Sequence, residues 1–226
     1  MFTHIKAVMK QAPVFGPYLF RVYRKLHRFN TSGAYWELRY RTGGNSGPGS
    51  YGRLAHFKAD TLNGFVDQHK IASVIEWGSG DGSQLQLANY PAYTGVDVSK
   101  TAVDKCRELF AADDSKSFLL WTSVSRDQLA DLSLSLDVIF HLVEDSVYDA
   151  YMRRLFESAA RFVIVYSSNL DEEWPQRHIR HREFTRWVEG NKPEWRLYSF
   201  TKNAFPYDPA DPEQTSFADF YVFARV

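Results

Sequence analysis

The chain has 226 residues, of which 44% are hydrophobic, 16% aromatic and 24% charged, a balance that excludes a disordered protein and suffices for one sizeable core. Lysine plus arginine and aspartate plus glutamate each number 27, which argues against a nucleic-acid partner, since polyphosphate binders carry a strong basic excess. The single cysteine, Cys106, excludes an internal disulfide and any multi-cysteine metal cluster, and no bilayer-spanning apolar run or signal peptide is legible, so a cytoplasmic protein is expected.

Residues 1–36 hold no acidic residue but carry Lys6, Lys10, Arg21, Arg24, Lys25 and Arg28. Phe2, Ile5, Val8 and Met9 recur at helical spacing, as do Leu19, Val22, Tyr23 and Leu26, with Pro13, Gly16 and Pro17 between them. Two short basic amphipathic helices are predicted. They either pack on the main domain or, through residues 1–29, meet an anionic inner-membrane face or a partner. A glycine- and serine-rich run follows over 42–52, flanked by Tyr40, Arg41, Tyr51 and Arg53, and then a helix over 54–69.

From Ile71 onward strands and helices alternate. Strands are predicted over 73–77, 93–98, 118–121, 136–143 and 161–167, and helices over 83–89, 100–110 and 146–159, with Ser99 as an N-cap. Two aromatic strands, 195–201 and 217–226, close the chain as an antiparallel pair. The expected fold is α/β: a doubly wound, seven-stranded, mostly parallel sheet over 71–226, preceded by a helical segment (1–36) and a lid with its helix (37–70).

The chemistry begins at Glu76-Trp-Gly78-Ser-Gly80-Asp-Gly82. A glycine turn after the first strand admits a ligand to the backbone. The glycines alternate, however, where dinucleotide binders need G-x-G-x-x-G, and Glu76 and Asp81 would repel a pyrophosphate. Asp97, at the end of the second strand, stands where a carboxylate meets ribose hydroxyls. A nucleoside with a cationic amino-acid tail, S-adenosylmethionine, suits this set.

Together with Tyr93-Thr-Gly-Val-Asp97-Val-Ser and Leu136-Asp-Val-Ile-Phe-His141-Leu-Val-Glu144, these residues resemble the class I S-adenosylmethionine-dependent methyltransferases over about 70–226. The resemblance implies that Glu76, Gly78, Gly80 and Gly82 face the methionine part, Asp97 the ribose, and Val98 the adenine. It places Trp121 and Thr122 at the adenine's border, where many relatives carry an acid, and His141 and Leu142 beside the sulfonium and acceptor. Arg39-Tyr-Arg41 with the glycine-rich run resembles bacterial methyltransferases linked to surface-polysaccharide or sugar biosynthesis. Arg41 and Tyr51 are thus candidate cofactor contacts on a lid.

Methyl transfer needs an aligned nucleophile and, for a hydroxyl acceptor, a base. His141 is the first choice, with His178 and His181 at helical spacing as an acceptor-contacting pair. No metal site is expected. A magnesium ion can be drawn between Glu144 or Asp145 and Asn169 and Asp171, but such surface carboxylates are common. Cys106 reads as core packing. The expected activity is O-methylation of a sugar or other small-molecule hydroxyl. The alternatives are a protein or nucleic-acid methyltransferase, or a non-catalytic cofactor-binding subunit.

Overall fold

The computed structural model of the chain describes residues 31–172 and 174–226; the two helices predicted within 1–30 lie outside them. Seven strands form one sheet: β1 (Val74–Trp77), β2 (Tyr93–Asp97), β3 (Lys116–Leu120), β4 (Ala130–Leu136), β5 (Ala159–Ser167), β6 (Trp195–Thr201) and β7 (Asp219–Arg225). Their order is β3-β2-β1-β4-β5-β7-β6. The first five run parallel, and β7 pairs antiparallel with both β5 and β6, as the strand–helix alternation and the aromatic terminal pair predict. The helices are α1 (Ser32–Arg41), α2 (Gly52–Gln68), α3 (Lys100–Leu109), α4 (Asp145–Glu157) and α5 (Phe184–Asn191). Among the described residues no helix is long and apolar enough to cross a membrane.

Successive strand residues point to opposite faces, and both faces are covered. Val74, Leu132, Leu134 and Ile164 meet Leu62 and Val66 of α2 and Val103 and Cys106 of α3. Ile75, Trp77, Val163 and Val165 meet Tyr151, Met152 and Leu155 of α4 and Phe184 and Val188 of α5. The chain leaves β1 toward β2 and later returns to β1's other side as β4, so a crevice opens at the C-terminal ends of β1, β2 and β4.

Three expectations are corrected. The fourth strand is not the apolar run 136–143 but the alternation Leu132-Ser-Leu134-Ser-Leu136. Asp137 takes a left-handed φ of 59° and ends it, after which Ile139–His141 coils into a 3-10 turn. The helix predicted over 83–89 is only a 3-10 turn, Leu85–Leu87. Asn63 of α2 stops it by donating to Leu87 O at 2.9 Å and accepting from Asn89 N–H at 2.8 Å. Helix α1 runs across the boundary placed at residue 36, because Thr31 caps it, accepting from Ala34 N–H at 3.2 Å.

Candidate functional site

Strand β1 delivers the chain into the glycine turn at the crevice. Gly78 and Gly80 hold φ of 86° and 60°, left-handed values costly for a side chain, and a Cβ at either would strike Val138 or Ser46. Asp97 ties the turn down, accepting from Gly80 N–H at 3.0 Å on Oδ2 and from Ser99 N–H at 2.8 Å on Oδ1. Burial raises its carboxyl to about 6, against the pull of those bonds. Glu76, also buried, accepts from the Tyr93 hydroxyl at 2.6 Å. Burial pushes its carboxyl up to about 7, with Tyr93 and Lys58 acting the other way.

The roof is α1 and the loop behind it, latched at three points. Ser32 donates its N–H and hydroxyl to the two oxygens of Glu144, at 2.9 and 2.6 Å. Glu37 accepts from the hydroxyls of Ser99 and Thr101, each at 2.7 Å. Ser46 grips Asp81 of the glycine turn through its N–H at 3.1 Å and its hydroxyl at 2.8 Å, with the Tyr40 hydroxyl 3.1 Å behind it. These are inward-facing bonds between parts of the chain far apart in sequence, so α1 and the glycine-rich loop belong to the same body as the sheet.

Beneath this roof is a cleft of about 300 Å³. Glu76, Gly78, Gly80, Asp97, Val98, Trp121, His141 and Leu142 all line it. Four predicted contacts do not. Gly82 turns its α-carbon toward Phe110 and Cys106, so it packs the turn on α3 instead. Thr122 is exposed beside Trp121, whose ring packs edge-on to Trp77 at 4.9 Å and stacks on Tyr151 at 5.9 Å. Tyr51 braces the turn from outside, its hydroxyl 2.9 Å from Ser83 Oγ and 3.3 Å from Asp81 Oδ2. Arg41 is exposed at the end of α1.

His141 sits in the 3-10 turn after β4, its ring wedged between Trp36, Phe140 and His178. Its Nδ1 lies 3.0 Å from the carbonyl oxygen of His178. A carbonyl can only accept, so Nδ1 carries the proton and the lone pair is on Nε2. Burial holds the imidazole neutral, lowering its pKa to about 3. His178 stacks on Tyr35 at 4.7 Å and on His141 at 5.6 Å, so it backs His141 without lining the cleft. His181 is elsewhere: it is buried, bonds Ser168 Oγ through Nδ1 at 2.7 Å, and is walled by Trp174 and Phe217. The two histidines precede α5 in irregular chain, so helical spacing does not place them on one face. Arg182 and Arg180 are spent on Asp145 and on the carbonyls of Leu142 and Val143.

Several lining residues escaped sequence reading: Trp36, Tyr40, Ser46, Asp137 and Tyr151. Asp137 stood within the run assigned to a strand, and its adjacency to Leu136 at a strand end was the available signal. Among the described residues no three His, Cys, Asp or Glu side chains are placed to share a metal ion. Of the residues drawn for a magnesium ion, Glu144 accepts from Ser32, Asp145 pairs with Arg180 and Arg182, and Asn169 bonds Thr185.

The electrostatics of the cleft are one-sided. Among the described residues lining it are three carboxylates, Glu76, Asp97 and Asp137, and no lysine or arginine. Ser79 Oγ and Gln84 Oε1 are buried on its wall without a hydrogen-bond partner among the described residues, a state that a polar ligand would relieve. The set disfavours a pyrophosphate and fits a nucleoside with a cationic tail: carboxylates for hydroxyl and ammonium groups, and Val98 and Trp121 for a base.

No protein-family model matches the chain, and no curated protein matches it. Solved structures do. The methyltransferase domain of bacterial CtHen1 is 22% identical, over 74% of this chain and 96% of that one, with a TM-score of 0.58. Magnesium protoporphyrin IX methyltransferase (ChlM) from Synechocystis PCC 6803, with bound SAM, is 19% identical over 91% and 96%, with a TM-score of 0.57. The N-methyltransferase NodS from Bradyrhizobium japonicum WM9, in complex with S-adenosyl-L-homocysteine, is 14% identical over 87% and 99%, with a TM-score of 0.64. At these identities the likeness is one of architecture, and it establishes that this chain has the Rossmann-like fold of methyltransferases.

Proposed function

We propose that the chain is an S-adenosylmethionine-dependent methyltransferase acting on a hydroxyl of a sugar or other small molecule. The observation that carries the reading is the cleft's lining at the C-terminal ends of β1, β2 and β4: Glu76 and Asp97 stand there with no lysine or arginine among the described lining residues, and the third acid, Asp137, is paired from behind by Lys58. Asp97 keeps lone pairs for the ribose hydroxyls beyond the two N–H groups it accepts, Val98 and Trp121 flank the adenine, and Glu76 offsets the sulfonium. When bound, the cofactor supplies a methyl group activated by the positive sulfur.

His141 supports an oxygen acceptor, with its protonated Nδ1 held by a carbonyl and the Nε2 lone pair left to receive a proton. A base of pKa about 3 does not strip a free alcohol. It does take the proton from an oxygen made positive as the methyl bond forms, because a protonated ether is a far stronger acid than imidazolium. We extend the reading to the cytoplasmic face of a membrane on the composition of residues 1–29, which hold six lysines and arginines and no acidic residue. Flotation with anionic vesicles tests this; glutamine at Lys6, Lys10, Arg21, Arg24, Lys25 and Arg28 is expected to abolish the shift, and an unchanged shift contradicts it.

The activity itself is tested by following S-adenosylhomocysteine release over a panel of sugars and small hydroxyl compounds. Turnover on at least one hydroxyl compound, and none on its O-methylated form, is expected. Turnover confined to amines, RNA or protein would overturn the acceptor class.

A further inference from the structure

Lys58 lies in the middle of α2 and is 1% exposed, and its ammonium reaches Asp137, a residue of the cleft's wall, from behind. Nζ donates to Asp137 Oδ2 at 2.6 Å and stands 5.4 Å from the Tyr166 ring centre. A buried ion pair gains little net stability over well-packed apolar side chains, so stability alone does not account for this one.

Asp137 is held just as closely. It adopts a left-handed φ of 59° without being glycine, and its N–H donates to Tyr166 O at 2.9 Å. Backbone strain of this kind gathers at functional sites. Gly49 of the roof loop lies over it, where a Cβ would stand 2.8 Å from Oδ2 and 3.8 Å from Lys58 Nζ. The roof loop, α2, β4 and β5 thus converge on one carboxylate. Its side chain retains 22% exposure and lines the cleft four residues before His141.

We infer that Asp137, positioned by Lys58, faces the departing methyl group and accepts a hydrogen bond from a donor group of the acceptor beside its reacting atom, leaving the reacting proton to His141 and turning the nucleophile's lone pair toward the methyl carbon. The inference rests on the proposed S-adenosylmethionine reading and goes beyond it in assigning the acceptor side of the cleft. Asp137 touches the acceptor; Lys58 acts through it, as a positioning residue. Oδ2 is fixed by Lys58, which leaves Oδ1 to accept from a donor group. The carboxylate favours a neutral hydroxyl or neutral amine donor over an anion at this end.

The test uses two probes on the full chain: S-adenosylhomocysteine, which lacks the methyl, and sinefungin, which carries an ammonium where the methyl stands. Asp137→Asn is expected to weaken sinefungin about tenfold or more, with S-adenosylhomocysteine within about twofold. Lys58→Met should move the same ratio in the same direction, and Lys58→Arg should restore it, a pattern that mere loss of packing would not produce. Because Asp137→Asn strands a buried lysine, the double variant Lys58→Met/Asp137→Asn supplies the same comparison without the stranded charge. Equal weakening of both probes, or no change in either, would overturn the inference alone. Failure of the unaltered chain to bind S-adenosylhomocysteine would overturn the functional reading beneath it, and the inference with it.

Discussion

The two ends of the cleft are built by different means. The donor end is backbone and short spacing: the glycine turn, Asp97 receiving two N–H groups, and Ser46 gripping Asp81. The proposed acceptor end is side chains gathered from distant segments, with Trp36 against His141, His178 behind it, and the Lys58–Asp137 pair below. A cofactor presents one fixed shape that a local turn can meet. An acceptor is met by whichever side chains several loops bring together.

Breaking the donor end at its centre should have the largest effect. Asp97→Ala leaves the N–H groups of Gly80 and Ser99 unpaired and removes the ribose contact. Hydrogen bonds to a charged group are worth about 1.5–3 kcal/mol each, so calorimetry should show S-adenosylhomocysteine affinity falling more than about 100-fold. Affinity within threefold of the unaltered chain would contradict the assignment.

The acceptor end should break differently. His141→Ala is expected to lower single-turnover methyl transfer on the best hydroxyl substrate about 100-fold. Affinity for S-adenosylhomocysteine should change less than about threefold. Full turnover in the variant would remove His141 from the chemistry.

A subtler effect sharpens the contrast. Glu76 has its carboxyl raised from about 4.5 to about 7 by burial, so the folded chain holds this proton more tightly than the unfolded one. Its contribution to stability is therefore complete below about 4.5 and lost as pH rises through about 7. Binding a sulfonium works in the opposite sense, because it favours the ionised carboxylate. S-adenosylmethionine affinity should rise between pH 6 and pH 8 with proton release, and Glu76→Gln should flatten that rise, costing about tenfold at pH 8 while raising the ligand-free melting temperature there. A steep rise persisting in the variant would assign the pH dependence to another group. The smallest effect belongs to the roof: Ser46→Ala should speed S-adenosylhomocysteine dissociation about three- to tenfold, measured by stopped flow. An unchanged rate would show that the latch does not gate the donor end.

The same division explains what sequence reading recovers. The donor end falls between Glu76 and Asp97, where glycine spacing and the distance to a second carboxylate survive as local pattern. Sheet topology also follows from local alternation, as does the antiparallel aromatic pair. The fourth strand did not, because Ser133 and Ser135 interrupt its apolar run. Both are buried and satisfied, Ser133 lying 3.2 Å from Ser158 Oγ and Ser135 accepting from the Tyr151 hydroxyl at 2.8 Å, and a single sequence carries no sign of such partners. The Lys58–Asp137 pair joins residues 79 positions apart, and Lys58 by itself reads as an ordinary helix lysine. Arg41 and Tyr51 flank the glycine-rich loop in sequence, but the loop's inward contacts come from Ser46 and Ser50.

The most direct test of the central claim, that a cleft of carboxylates holds a cationic nucleoside, is a calorimetric comparison of S-adenosylmethionine with ATP and NAD at neutral pH. The account predicts one-to-one binding of S-adenosylmethionine, abolished by Asp97→Ala, and no uptake of the two phosphate-bearing ligands. Tight binding of ATP or NAD with no heat from S-adenosylmethionine would contradict it.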